Sequence, residues 1–253
     1  MKLVVLGSAG YHANDFRQTT CVLIPEHGIV FDAGTSFFRL PDYLKTKEID
    51  VFLSHAHLDH VVGLTHLISV QYRYELESVR VHGDASKLQA IRKHLFAKEL
   101  FPVEPSYEEI PLTQGEVQVG SGDDKASGRV TWIELDHPGK SIGYRVDWPD
   151  RSLAFITDTT ADPNAEYVEF IRDVDLLVHE CNFPDGMEEF AKKTGHSCLS
   201  ATAEVAKAAN VGGLVLIHFD PLRRLETEED AMKRAEAIFS PIVYAEDGME
   251  IEL

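Results

Sequence analysis

Residues 54–64 read SHAHLDHVVGL, which places His55, His57, Asp59 and His60 within six positions, directly after the apolar run Val51-Phe52-Leu53. From His60 onward Val61, Leu64, Leu67 and Ile68 recur at helical spacing, so the cluster stands where a short buried strand hands over to a helix. Neutral imidazole nitrogen and carboxylate oxygen are ligands of Zn(II) and neighbouring divalent ions, and a catalytic ion keeps one position open for water. Four such groups in so short a stretch are too many for one open site. On an extended or turning backbone His55 and His57 converge on one ion, while Asp59 and His60, leading into the helix, face a second. A single loop histidine is ordinarily a surface polar residue; three of them with an aspartate behind a buried strand are not.

The rest of the chain alternates in the same way. Strands are expected over 3–6, 21–24 and 29–31, the last two joined by the turn Pro25-Glu26-His27-Gly28, and then over 51–53 and 79–81. A hairpin over 129–135 and 141–146 follows, with further strands over 153–157, 176–178, 214–217, 242–245 and 249–253. Helical spacing marks 85–96, 200–209 and 227–239, the last with Thr227 as N-cap, and 120–128 reads as a polar loop. Strands come first, then strands alternating with helices, then the same again. Two sheets packed face to face with helices outside accommodate this order. Polar residues stand repeatedly just past strand ends: HAHLDH, Asp158, His179-Glu180 and His218. That placement suits a site along one edge of the sheets.

Composition narrows the class. With 253 residues, 44% hydrophobic, and no hinge rich in Pro, Gly or Ser, the chain is expected to form a single domain over 1–253. No apolar run approaches the roughly 20 residues that span a bilayer, so a soluble protein is expected. The opening MKLVVLGSAGY reads as a first strand and turn rather than a signal segment. Cys21, Cys181 and Cys198 are odd in number and fit no zinc spacing, which points to a reducing compartment, the cytoplasm. The net charge of −18 opposes a long polyanion, and no block of Lys or Arg offsets it.

The HAHLDH stretch resembles the His-x-His-x-Asp-His motif of the metallo-β-lactamase superfamily, and the likeness runs over nearly the whole chain. It implies a four-layer αβ/βα sandwich with two metal ions on one edge. His137 in ELDHPGKSIGYRV looks like that superfamily's third histidine, Asp158 in FITDTT like its bridging aspartate, and His218 in LVLIHFDP like its final histidine. Carried over, His55, His57, His137 and Asp158 bind one ion, and Asp59, His60, Asp158 and His218 the other. Zn(II) is the expected metal, with Mn(II) and Fe(II) compatible with the same donors. LGSAG, FDAGT, HECNF, GHS and LIHF, in that order, look like segments of the ribonuclease Z branch, in which Glu180 and His196 match an acid-base pair. Asp59, Glu180 and His196 are therefore the expected catalytic residues, and a homodimer is implied by resemblance. His179 is expected to support the sheet edge, and His12, His66, His82 and His94 are expected to be structural or surface groups, His12 lying in the loop after LGSAG.

The sequence departs from that branch where the branch grips tRNA. The long basic arm that follows the third histidine is absent, since only about twenty residues separate His137 from Asp158 and they read as a hairpin. The loop YHANDFRQTT keeps Arg17 as its certain cation, and Thr160 stands where an Arg is common. All three changes remove positive charge that would bind an RNA backbone. The expected activity is hydrolysis of small phosphodiesters or short nucleic-acid ends. The alternatives are tRNA 3′ processing, with an arm from another protein, and a glyoxalase II-type thioesterase or lactonase; the ordered HECNF, GHSC and LIHF segments oppose the latter. His57 stands where diiron oxygen reductases of the superfamily use Glu, and the intact ligand set opposes a non-catalytic scaffold.

Overall fold

A computed structural model describes residues 1–113, 115–120, 127–222 and 229–253. The strands, in chain order, are Lys2–Gly7 (β1), Cys21–Ile24 (β2), Ile29–Phe31 (β3), Glu48–Phe52 (β4), Ser78–Gly83 (β5), Glu108–Pro111 (β6), Val117–Val119 (β7), Gly128–Leu135 (β8), Ser141–Asp147 (β9), Ser152–Ile156 (β10), Leu176–Glu180 (β11), Leu214–Ile217 (β12), Ile242–Tyr244 (β13) and Met249–Glu252 (β14). The α-helices are Leu58–Val61 (α1), Leu67–Arg73 (α2), Ala85–Ala90 (α3), Glu166–Phe170 (α4), Glu188–Thr194 (α5), Leu199–Ala208 (α6) and Glu229–Ile238 (α7). They fall into two compact units, residues 1–127 with 246–253, and residues 128–245.

In the first unit the sheet order is β14-β1-β2-β3-β4-β5-β6. The pairs β14/β1, β1/β2 and β2/β3 are antiparallel, and β3 through β6 run parallel. Parallel strands covered on both faces read as unbroken apolar runs, and the short runs of β3 and β4 bury Ile29, Val30, Phe31, Val51 and Phe52 completely. Val30 and Val51 share a core with Phe37, Leu40, Val61, Leu64, Leu67 and Val70, which come from the 3-10 helix Thr35–Asp42, from α1 and α2, and from the 3-10 turn that joins those two helices. Gly63 allows that joining turn to press against the loop after β3: its N–H donates to Ala33 O at 2.7 Å, and a Cβ there would stand 2.2 Å from Gly34 O.

The second unit repeats the plan in the order β13-β12-β11-β10-β9-β8. Here β8, β9 and β10 are antiparallel, and β10 through β13 are parallel. The α6 residues Leu199, Thr202, Ala203 and Ala206 follow the i, i+3, i+4, i+7 spacing and are buried, and Leu199, Ala203 and Ala206 share a core with Ala231 and Ala235 of α7. In both units the switch to parallel pairing places polar residues beyond the carboxyl ends of the strands, the position from which open α/β sheets present their sites.

Several elements differ from the sequence expectation. The helix expected over 85–96 is α3, capped by the Asp84 side chain at Ser86 N and Lys87 N, followed by a π-helical turn over Ile91–Leu95. The strands β6 and β7 and the helices α4 and α5 are too short to repeat a hydrophobic period, so no pattern announces them. Thr227 and most of the 120–128 loop lie outside the described residues. Among the described residues no helix is long and apolar enough to cross a membrane.

Candidate active site

In the first unit the chain leaves β4 through Ser54 and enters α1 with His57 as its extended N-cap and Asp59 in its first turn. The His55 ring centre is 4.3 Å from that of His57 and 4.3 Å from that of His60. His55 and His60 are buried, His57 is exposed and Asp59 is half-buried. A residue that the sequence reading did not single out organises them. Asp32, completely buried just after β3, accepts from Ser54 N at 2.7 Å, from Ser54 Oγ at 2.8 Å and from His60 Nδ1 at 2.7 Å. With its hydroxyl donated to Asp32, Ser54 Oγ accepts the Nδ1 proton of His55, 3.0 Å away. Both imidazoles are thereby held with the proton on Nδ1 and the lone pair on Nε2, the tautomer a metal requires. Asp59 Oδ2 stands 3.3 Å from His60 Nε2 and accepts from Tyr11 N at 2.7 Å.

The second unit builds its part from four strand ends. His137 follows β8, and its Nδ1 donates to Gly195 O at 2.9 Å, leaving the Nε2 lone pair 3.6 Å from Asp158 Oδ1. Burial lowers the His137 pKa against the opposing pull of Asp158, which keeps the ring in the neutral form that coordinates metal. Asp158, just beyond β10, is buried and has its Oδ2 3.4 Å from His218 Nε2, beyond the end of β12. Glu180, the last residue of β11, is completely buried. It accepts from Thr159 N at 2.9 Å, Ser197 N at 3.1 Å and Asn182 N at 3.3 Å, and its Oε1 is 3.0 Å from His196 Nδ1. The His196 ring is half-buried, 5.3 Å from the ring centres of both His137 and His218.

Local backbone strain marks the same residues. Asp32, Asp158 and His218 all have positive φ, of 58°, 54° and 59°, at the first turn after a strand. L-residues other than Gly rarely adopt this region, and persist there when surrounding contacts over-determine it. His179, by contrast, is completely buried beside the site, with Tyr167 Oη 3.2 Å from its Nε2, a structural role at the sheet edge. His66 and His82 are likewise half-buried and buried, away from the ligand set.

The donor chemistry inside each unit fits a divalent cation. The Nε2 lone pairs of His60 and His137 face carboxylate oxygens at 3.3 and 3.6 Å, acceptor against acceptor, an arrangement that a shared cation or proton satisfies and water-free burial alone does not. In the second unit one donor atom each from Asp158, His196 and His218 lie within 4.8 Å of one another. Beside His137 a cleft of about 910 Å³ opens, lined by Thr159 and Thr160 and by six carboxylates, from Glu134 to Glu204, against Lys192 and Lys193.

The family model described as the β-lactamase superfamily domain matches residues 27–219. The chain belongs to this superfamily. Ribonuclease Z of Haloarcula marismortui is 25% identical over 304 aligned positions, covering 99% of this chain and 96% of the relative. Those 304 positions exceed the 253 residues here, so the relative carries segments with no counterpart in this superfamily member. The metallo-β-lactamase fold protein YhfI from Bacillus subtilis superposes with a TM-score of 0.78 at 20% identity, covering 99% of each chain. The short form of human tRNase Z superposes at 0.74 and 22% identity, covering 100% of this chain and 99% of that one. The fold is therefore the α/β metallo-β-lactamase fold, as expected, and the chain lies in the ribonuclease Z-like branch of the superfamily. It is a metal-dependent hydrolase.

Proposed function

We propose that the protein is a dinuclear phosphodiesterase of small phosphodiesters or short nucleic-acid ends. The observation that carries this reading is the Glu180–His196 pair, a half-buried imidazole held at 3.0 Å by a completely buried carboxylate, with Asp158 Oδ1 3.9 Å from the same ring nitrogen. Hydrolysis of a phosphodiester with a poor leaving group needs a positioned proton donor, and this pair supplies one.

The proposed ligands are His55, His57, Asp59, His60, His137, Asp158 and His218, by their match to the superfamily motif and by the tautomers fixed inside each unit. Two bound divalent ions, of which Zn(II) suits the donors best, would activate water and offset the charge of the phosphate. Asp59 would use Oδ2, which faces His60 Nε2 at 3.3 Å and is oriented by the Tyr11 N–H at 2.7 Å, as a ligand; its other oxygen would take the proton of the attacking water. His196, with Nδ1 donated to Glu180, would present Nε2–H to the leaving oxygen. One proton leaves the water and one reaches the alcohol, so the products are a phosphomonoester and an alcohol.

Substrate size follows from charge. The cleft beside His137 holds six carboxylates and two lysines, and the chain carries a net charge of −18. A long RNA backbone meets repulsion at every phosphate there, whereas a substrate with one phosphodiester carries a single charge and meets far less. We place the protein in the cytoplasm, which the three free, buried cysteines fit, and propose a homodimer; sedimentation at the mass of one chain would reject the dimer. Relatives named ribonuclease Z favour pre-tRNA as the second substrate to test. The deciding experiment is metal-dependent hydrolysis of bis(p-nitrophenyl) phosphate, cyclic nucleotides, pre-tRNA, a thioester and a lactone, with D59A and H196A as controls. Phosphodiester hydrolysis abolished by D59A is expected; turnover confined to the thioester or lactone rejects the reading.

A further inference from the structure

Ten large apolar side chains are exposed among the described residues, and single exposed hydrophobics need no explanation. Tyr11 differs from the others in how its backbone is held. Its φ is 58°, a region in which a bulky L-residue is a genuine outlier, and its N–H donates to Asp59 Oδ2 at 2.7 Å. The ring is nevertheless 77% exposed, so packing of its own side chain does not impose the strain.

The loop that carries it is braced from within. Ala9 N donates to Gln18 O at 2.9 Å, His12 N to Gly10 O at 2.7 Å and Asn14 N to Arg17 O at 2.9 Å. Asn14 Oδ1 accepts from Phe16 N at 2.9 Å and Arg17 N at 2.8 Å. The His12 ring meets that of Tyr11 edge to face at 5.2 Å, which restricts the tyrosine ring while leaving most of its surface open. The hydrogen-bonded loop thus carries an exposed aromatic ring on the residue whose N–H binds Asp59. With an N–Cα bond of about 1.46 Å and roughly 4 Å more to the ring centre, the ring lies within about 8 Å of Asp59 Oδ2. A phosphate at the cation that Asp59 would hold and its own base, one ribose away, span a comparable distance.

We propose that Tyr11 is a stacking platform for the nucleobase of the substrate, which makes the substrate a nucleotide phosphodiester rather than a base-free one. The proposal rests on the phosphodiesterase reading and assigns its specificity. Aromatic stacking selects a base by its π-face without reading its edge, so the preference is for any nucleobase over none. It also replaces charge: a loop that keeps Arg17 as its certain cation, with that guanidinium turned inward to Ser8 Oγ at 2.6 Å, holds its ligand through the ring.

The test is equilibrium binding by calorimetry to the full chain loaded with Zn(II), comparing adenosine 5′-monophosphate with ribose 5-phosphate. Wild type is expected to bind the nucleotide about tenfold more tightly, within the range of one base–aromatic stack. Y11A is expected to abolish the preference, and Y11F and Y11W to keep it, which separates loss of the ring from loss of the loop. No preference in wild type, or a preference that survives Y11A, overturns the proposal. Because binding is read, a protein that prefers the nucleotide through Tyr11 and yet hydrolyses no phosphodiester upholds the platform and rejects the phosphodiesterase.

Discussion

Gly195 and His137 are in such close contact that a Cβ on the glycine would stand 2.7 Å from His137 Nδ1 and 2.5 Å from Pro138 Cδ. The same glycine closes α5 in the left-handed conformation, φ 74°, and offers its carbonyl to that ring nitrogen at 2.9 Å. One residue therefore ends a helix, admits the imidazole and fixes its tautomer. G195A is expected to cost about 1–2 kcal/mol from the left-handed backbone and to push His137 off its ligand direction. A fall in metal affinity of roughly 10–100-fold, the usual effect of losing an outer hydrogen bond to a ligand, is the expected result. Competition with a chromophoric chelator measures it, and unchanged affinity would refute the positioning role.

Asp32 is the corresponding support in the first unit. Through Ser54 Oγ and His60 Nδ1 it holds two imidazoles with one carboxylate. Asn in its place keeps one acceptor but turns an N–H toward either the serine or the histidine, so D32N is expected to misorient one of the rings. The expected outcome is metal affinity weakened by about 10–100-fold, with the chelator-stripped protein less affected in its thermal midpoint than the loaded one. Equal loss of stability in both forms would show that Asp32 serves the fold alone.

The two supports also show what the sequence disclosed and what it did not. HAHLDH was readable as a donor cluster because its imidazoles and carboxylate are adjacent; Asp158 and His218 stood out as polar residues past apolar strands, and their proposed part in metal binding rested, like that of His137, on resemblance. Asp32 occupies the same kind of position, the first turn after β3, and FDAGT carried that signal; a single aspartate without a neighbouring histidine did not identify its own role. The pairing of Glu180 with His196 rested on resemblance, since 16 residues and a helix separate them. The N–H groups of Thr159, Asn182 and Ser197 that hold Glu180 are backbone atoms, to which no residue type corresponds. The parallel strands were legible from their apolar runs, whereas α4 and α5, of five and seven residues, are too short to repeat the helical period.

His196 is predicted to act on the leaving group, and the dependence on that group is the test. H196A and E180Q are expected to lower kcat by about 10²–10⁴-fold on an alkyl phosphodiester, with metal content unchanged. On bis(p-nitrophenyl) phosphate the loss should be much smaller, because p-nitrophenolate departs without a proton. Equal losses on both esters would reject proton donation and leave His196 a binding residue.

The last prediction concerns acid stability and a network outside the proposed ligand set. Asp50 on β4 accepts from Arg80 Nε at 2.7 Å and Nη2 at 2.8 Å on neighbouring β5, and stands 2.7 Å from His82 Nε2. The His82 ring in turn stacks on Phe52 with centres 4.4 Å apart. Burial pushes the Asp50 pKa up, but the hydrogen bonds and charge of Arg80 and His82 outweigh it, so the carboxyl titrates below its ordinary value. A depressed carboxyl binds fewer protons folded than unfolded. Its contribution is therefore complete above the unfolded value of about 3.9 and is lost as pH falls through the folded one. D50A should be destabilising at neutral pH, toward the lower end of about 3–5 kcal/mol because Arg80 keeps access to water. D50N should narrow the gap to wild type as pH drops below about 4. Urea midpoints between pH 3 and 7 measure it, and a gap that stays constant across that window would show that the carboxylate is not stabilised by its charge.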